Sequence, residues 1–309
     1  MTLRERLRLI LDAIRGRKPP PVIIYRDPPP EIRAAHPGGH FYSPIVDPAD
    51  ATANAERIWP EPPAGVAGID FGDASHRHVL ETLFPRFYPD FDYAEDGAPD
   101  EELAAYYINN SQFGWLDARA LFVLLREWQP ARIIEVGSGY STLLMADVAR
   151  RFLGGTTRIT AIEPYPRPFL AKIGVELIEA KVQDVPLSAF DALGRGDVLF
   201  IDSSHVSKTG SDVNRLFFDI LPRLGPGVRI HVHDVFLPAE YPREWVTGEN
   251  RSWNEQYVLR ALLMYSSRFR VVFGSANAYY RHREAITRAL GLAPGVAYGG
   301  GSLWLEVVG

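Results

Sequence analysis

The chain has no cysteine among its 309 residues. That excludes disulfides, thiolate metal sites and a cysteine nucleophile, and it leaves the redox compartment open. No apolar run approaches the roughly 20 residues that span a bilayer, so stable membrane insertion is not expected. Positive charge is not in excess either. Lys and Arg number 33 against 38 Asp and Glu, giving a net charge of −5 and a pI near 5.9. A nucleic-acid partner would need a basic surplus, and none is present. What is left is an ordinary globular composition, 46% hydrophobic and 23% charged, long enough for one large domain with an accessory region.

The first stretch, MTLRERLRLILDAIRGRK, sets Leu3, Leu7, Ile10, Leu11 and Ile14 on one helical face, with Arg4, Arg8 and Arg15 among the polar positions. Charges interrupt any secretory core. The reading is a short amphipathic helix that packs on the protein or on a second subunit of a homo-oligomer, in a cytoplasmic chain. Residues 19–63 hold 12 of the 25 prolines. Proline fixes φ and removes a donor, so an extended, irregular segment is expected there. From about 75 to 105 aromatic residues alternate with acids (FPRFYPDFDYAED). This reads as a cap with few regular elements, whose rings at 84–93 could form a lid over a flat or apolar ligand. The expected division is an accessory region over 1–105 and a catalytic domain over 106–309.

Regular patterning begins near Asn110. GWLDARALFVLLREW (114–128) is a strongly apolar helix that ends at Pro130. Short apolar runs then alternate with helical ones. Strands are expected at 132–136, 157–162, 175–179, 197–201 and 228–233, with helices at about 141–153, 167–173, 187–192 and 208–223 between them. The tail adds a helix at 254–265 and strands at 269–274 and 302–308. Strands alternating with helices imply right-handed βαβ units and a doubly wound, mostly parallel Rossmann-like sheet.

In such sheets a ligand sits beyond the carboxyl ends of the strands at the switch point. IIEVGSGYST (133–142) delivers Glu135, Gly137, Ser138, Gly139, Tyr140 and Ser141 there, and the following helix offers free N–H groups. A dinucleotide fingerprint would place a third glycine where Thr142 stands, and a P-loop would need a lysine that this turn lacks. Glu163 ends the second strand, where a carboxylate can accept two hydrogen bonds from a ribose; that alone suits a nicotinamide cofactor as well as any adenosine ligand. Gln183 and Asp184 end the third, where an adenine amino group could be read, although Asp184 could equally be a helix cap.

EVGSGYS (135–141), IEP (162–164), VQD (182–184), LFIDSSH (199–205), RLGPG (223–227) and IHVHD (230–234) together make the chain resemble the class I S-adenosylmethionine-dependent methyltransferases, over about 200 residues. The resemblance implies a sheet closed by an antiparallel last strand. It also implies S-adenosyl-L-methionine as cofactor, with Gly137 and Gly139 facing its methionine part, Glu163 the ribose and Asp184 the adenine. A further glycine, common in the family, is Ser141 here.

Methyl transfer is an in-line displacement, and a hydroxyl acceptor must also lose a proton. The fourth strand ends in Asp202 and leads to His205; the fifth carries His231, His233 and Asp234. If Asp202, Asp234 and an imidazole such as that of His233 converge, their O and N donors suit Mg2+ or Mn2+, which would lower the acceptor's pKa. This is similar to the catechol O-methyltransferase branch. There a lysine base stands three residues beyond the first Asp, the place of His205 here; Val235 takes the place of an Asn ligand. His231, inside a strand, reads as a hydrogen-bonded core histidine. FLPAEYP (236–242) and SWNEQY (252–257) are where an acceptor pocket is commonly built. The resulting expectation is a methyltransferase acting on a small-molecule acceptor at oxygen, with His205, Asp202 and Asp234 for chemistry. Open alternatives are a nicotinamide-dependent oxidoreductase, a binding protein on the same fold and an enzyme that methylates proteins.

Overall fold

A computed structural model describes residues 34–61, 63, 65–98 and 102–309. The expected N-terminal helix and both PPP runs lie outside these residues. The chain divides into two compact units, Met1–Pro44 and Ile45–Gly309. The second contains the sheet and everything described below.

Seven strands form one sheet in the order β3-β2-β1-β4-β5-β7-β6. They are β1 (Arg132–Val136), β2 (Arg158–Ile162), β3 (Glu176–Ile178), β4 (Val198–Ile201), β5 (Arg229–Val232), β6 (Phe269–Gly274) and β7 (Leu303–Val307). The first five are parallel, and β7 runs antiparallel between β5 and β6. The order reverses between β1 and β4, so the switch point lies at their carboxyl ends. Register carries that edge across the sheet: Val136 faces Ile201, Ile201 faces Val232, and Val232 faces Leu303. The residues just beyond these four therefore share one rim. Every expected strand is present within one residue of its expected bounds.

Successive side chains of a strand point to opposite faces, and two cores result. Ile133, Val198, Phe200 and Trp304 join one core, with helices α1 (Trp115–Trp128) and α2 (Tyr140–Phe152). Ile134, Leu199, Ile201, Ile230 and Leu305 join the other, with the helical run Asp212–Arg223 and with α3 (Glu255–Tyr265). The former run starts four residues later than expected. Lys208–Ser211 is a turn around Gly210, closed by the Lys208 N–H donating to Ser211 Oγ, and that hydroxyl then caps Asn214.

The cap differs most from expectation. Asp73–Asp90 is a continuous helical run, partly of π and 3-10 form. Phe84 and Phe87 are buried, and Phe91 and Tyr93 pack edge-on against Phe122 of α1. These rings are core rather than a lid. Their periodicity was masked because charged residues fall between them on the helix's outer face. After β6 the chain forms two more helices that sequence reading left out, α4 (Ser275–Arg281) and α5 (Arg283–Ala289). Among the described residues no helix is long and apolar enough to cross a membrane.

Candidate functional site at the strand ends

The turn after β1 is shaped by two glycines under different constraints. Gly137 has φ +94°, and a Cβ there would lie 1.8 Å from the Asp202 carbonyl oxygen. Any side chain would force the ends of β1 and β4 apart. Gly139 is extended, and a Cβ there would meet only Gln112 Oε1, 4.0 Å away. The fold requires Gly137; Gly139 is buried, but a methyl there would meet no close neighbour.

Beneath the turn, Glu135 is fully buried and both its oxygens are engaged. Ser141 Oγ donates to one and Thr142 Oγ1 to the other, each at 2.6 Å, while the Gly139 N–H donates to Thr142 Oγ1 at 2.9 Å. Burial pushes the Glu135 carboxyl up to about 8, although the two hydroxyl donors pull it back. Thr142, at the place of a third glycine, is thus the tie between strand, turn and helix. Glu135 and Ser141 hold the turn's shape from below rather than presenting atoms at its surface.

Ser138 and Glu163 do reach that surface. Glu163 Oε1 accepts the Tyr165 N–H at 2.8 Å and its Oε2 accepts Ser138 Oγ at 3.3 Å, bringing the β1 and β2 ends together. The buried Tyr140 shares a hydroxyl contact of 3.1 Å with Tyr107, and Arg167 lies over its ring. Gln183 and Asp184 sit on a single 3-10 turn past β3; Gln183 donates to the Gly210 carbonyl and Asp184 is exposed.

A second cluster occupies the rim past β4 and β5. Asp202, His233 and Asp234 place one donor atom each within 4.8 Å of one another. His205 Nε2 lies 3.5 Å from Asp202 and 3.4 Å from Asp234, and its Nδ1 is 2.9 Å from Glu255 Oε2. His233 Nδ1 is 3.5 Å from Asp202 and 3.6 Å from Asp234, with Nε2 3.6 Å from Asp117. His205 and Asp234 both carry left-handed backbone, φ +60° and +55°. Such backbone persists in non-glycine residues only where its surroundings over-determine it.

The electrostatics follow from burial and pairing. Burial would lower His205, but hydrogen bonds to Asp202 and Glu255 outweigh it and push the imidazole up to about 10. For His233 burial is likewise outweighed, by the charges of Asp234 and Asp202. Asp202 is held far below the usual carboxylate range: burial opposes this, and the charge of His233 and the bond to His205 prevail. Burial raises Asp234 and Glu255.

Sequence reading missed Asp117 here, and had Glu255 and Trp253 only as members of a stretch expected to build a pocket. Asp117 of α1 accepts the N–H groups of Gly301 and Ser302 at 2.9 Å each, fixing the strap before β7 beside His233. A lone acid in an apolar helix was the signal for it. Glu255 lies in the first turn of α3 and resembles an ordinary helix-start acid. Trp253, its ring 4.4 Å from that of His205, stands within the stretch expected to build a pocket. His231 is a core residue, stacked on Phe200 with ring centroids 3.7 Å apart and Nε2 2.8 Å from Ser302 Oγ. Past β5, Trp59, Phe236, Glu240, Arg243, Tyr257 and Tyr279 line a groove of about 700 Å³.

Residues 134–235, which contain both clusters apart from Asp117 and Glu255, match the family model of a methyltransferase domain. A protein of unassigned function from Archaeoglobus fulgidus is 37% identical over 170 residues, 53% of this chain and 76% of that one. Among solved structures, the O-methyltransferase TomG from Streptomyces achromogenes, in complex with S-adenosylmethionine, is similar over 62% of this chain and 79% of its own, at 21% identity and a TM-score of 0.38. A Podospora anserina methyltransferase bound to S-adenosylhomocysteine is similar over 84% of this chain and 95% of its own, at 19% identity and a TM-score of 0.38.

Proposed function

The chain belongs to the S-adenosylmethionine-dependent methyltransferases of class I, and from that premise we propose that it methylates a hydroxyl oxygen of a small-molecule acceptor held beyond β4 and β5. The observation that carries this reading is the meeting of Asp202, His233 and Asp234 within 4.8 Å, on the same rim as the Gly137 turn. In that reading Gly137 and Gly139 face the methionine part of the cofactor, Glu163 binds the ribose, and Gln183 with Asp184 reads the adenine. Thr142 argues against a dinucleotide, because its hydroxyl is committed to Glu135 and the Gly139 N–H.

Two carboxylates and an imidazole form a donor set that fits a divalent cation such as Mg2+ or Mn2+. Such an ion, when bound, would lower the pKa of an acceptor hydroxyl. The chain's own part is to orient the acceptor in the groove past β5 and to take up its proton. His205 is the nearest imidazole for that role. With its pKa pushed up to about 10, it already carries a proton at neutral pH, so it can act as a base only once the surrounding carboxylate charge is offset.

Calorimetric titration with S-adenosylhomocysteine, and separately with NADH, tests the cofactor. Micromolar binding of the former is expected, with a loss of about tenfold or more in Glu163→Ala, since a charge-assisted hydrogen bond contributes roughly 1.5–3 kcal/mol. Binding of NADH alone would overturn the reading.

A further inference from the structure

We propose that the groove past β5 takes a flat aromatic acceptor bearing an oxyanion, either carboxylate or phosphate, which Arg57, Arg243 and Arg260 hold at the groove's outer part. The inference rests on the reading of this groove as the acceptor site, and it names the class of molecule admitted there.

Position is the first argument. Phe236 and Gly300 line the groove. A Cβ on Gly300 would lie 2.3 Å from Asp117 Oδ1, and one on Gly301 would lie 3.0 Å from Asp234 Cα and 3.1 Å from Phe236 Cζ. The groove therefore begins where Asp234 meets the strap before β7, and its volume of about 700 Å³ suits a small organic ligand. The fate of its polar groups is the second argument. Trp59 Nε1 donates to the Tyr241 carbonyl at 2.7 Å. Gln256 Oε1 accepts the Phe236 N–H at 2.9 Å, and its Nε2 donates to Glu240 Oε1 at 3.1 Å. The same Glu240 oxygen takes the Tyr241 N–H at 2.8 Å and the Tyr257 hydroxyl at 2.6 Å. With those polar ends tied back, Trp59, Phe236 and Tyr257 have their rings left to offer, and rings select a flat apolar body.

Charge is the third argument. Arg57, Arg243 and Arg260 line the same groove, all three exposed, and among the described residues none has a carboxylate partner. Arg243 lies over the Trp59 ring, 6.0 Å from its centroid. The whole chain carries a net charge of −5, yet here three guanidinium groups stand against two carboxylates, Glu61 and Glu240, and Glu240 already answers three donors. A cleft with low-dielectric walls focuses such a local surplus. A guanidinium pairs with carboxylate or phosphate oxygens through its planar fork and also stacks on rings. A cationic acceptor would meet repulsion at the same place.

The test uses the full chain saturated with S-adenosylhomocysteine and titrated calorimetrically with 6-hydroxy-2-naphthoate, its neutral amide 6-hydroxy-2-naphthamide, and 2-naphthyl phosphate. At least one anion should bind about tenfold or more tightly than the amide, and which one does so distinguishes carboxylate from phosphate. Added salt should narrow the difference, because the guanidinium groups are exposed. Combining Arg57→Gln, Arg243→Gln and Arg260→Gln should bring the anion down to the affinity of the amide and leave the amide itself unchanged. Binding of S-adenosylhomocysteine, measured on every variant, separates loss of the groove from loss of the fold. Equal affinity for anion and amide, a preference that survives in the triple variant, or no binding of any probe would overturn the inference and leave methyl transfer beyond β4 and β5 intact. Failure of the parent protein to bind S-adenosylhomocysteine would instead overturn the acceptor reading and the inference with it.

Discussion

Gly137 and Gly139 stand two residues apart, and substitution should separate what each does. In Gly137→Ala the new methyl meets the Asp202 carbonyl at 1.8 Å on left-handed backbone, so a loss of about 3 kcal/mol or more is expected in denaturant unfolding. Gly139→Ala has extended backbone and no close neighbour; it should melt within a few degrees of the parent yet bind S-adenosylhomocysteine about tenfold more weakly. Equal loss of stability in the two variants would contradict this assignment. Glu135 gives a residue-scale pH effect. Its folded pKa, near 8, is above the unfolded value of 4.5, so the native state binds the extra proton and stability drains away as pH rises from 4.5 to 8. Glu135→Gln should flatten that slope, by at most about 3 kcal/mol between pH 5 and 8. Glu163, Asp202 and Asp234 were legible in the sequence because an acid at the end of an apolar run marks a strand's carboxyl end. Thr142, Asp117 and Glu255 were not, since their roles arise from partners far away or on another element.

Most strands were readable as elements because they are buried on both faces, the edge strand β3 excepted, and continuous apolar runs bounded by Gly, Pro or charge leave little ambiguity. The helical run Asp73–Asp90 was harder. Pro85 and Pro89 and the interleaved charges imitate an irregular loop, and only the packing on α1 and β6 shows which rings face inward. Phe84, fully buried there, tests the point. Phe84→Ala should cost about 3–5 kcal/mol in unfolding experiments, while the folded protein keeps its affinity for S-adenosylhomocysteine. A loss of affinity with little loss of stability would instead restore the rings to a lid. α4 and α5 escaped notice because their short amphipathic stretches fall between two strands that dominate the pattern.

At the scale of the whole molecule, the buried charges of the rim should govern stability against pH in chelator. Asp202, depressed in the fold, contributes above pH 3.8 and loses its contribution as pH falls through its folded value. His205, raised to about 10, contributes fully below 6.5, and that contribution fades as pH climbs to 10. Glu135 acts in the same direction as His205. The melting temperature of stripped protein should therefore peak at mildly acidic pH and decline steadily towards pH 10, and His205→Asn should remove part of the decline. A peak above pH 8 would contradict this balance. The position of β7 has a consequence in time. It is the last strand in chain order, yet it lies between β5 and β6 and is led in by Gly301 and Ser302, which Asp117 grips. A growing chain can pair β1 to β5 early, but until residues 300–307 are made, β6 has no neighbour in the sheet and Asp117 no strap to hold. The strap is thus made after every other described strand, and a nascent chain stalled before it would leave Asp117 without these two partners and β6 without its neighbour.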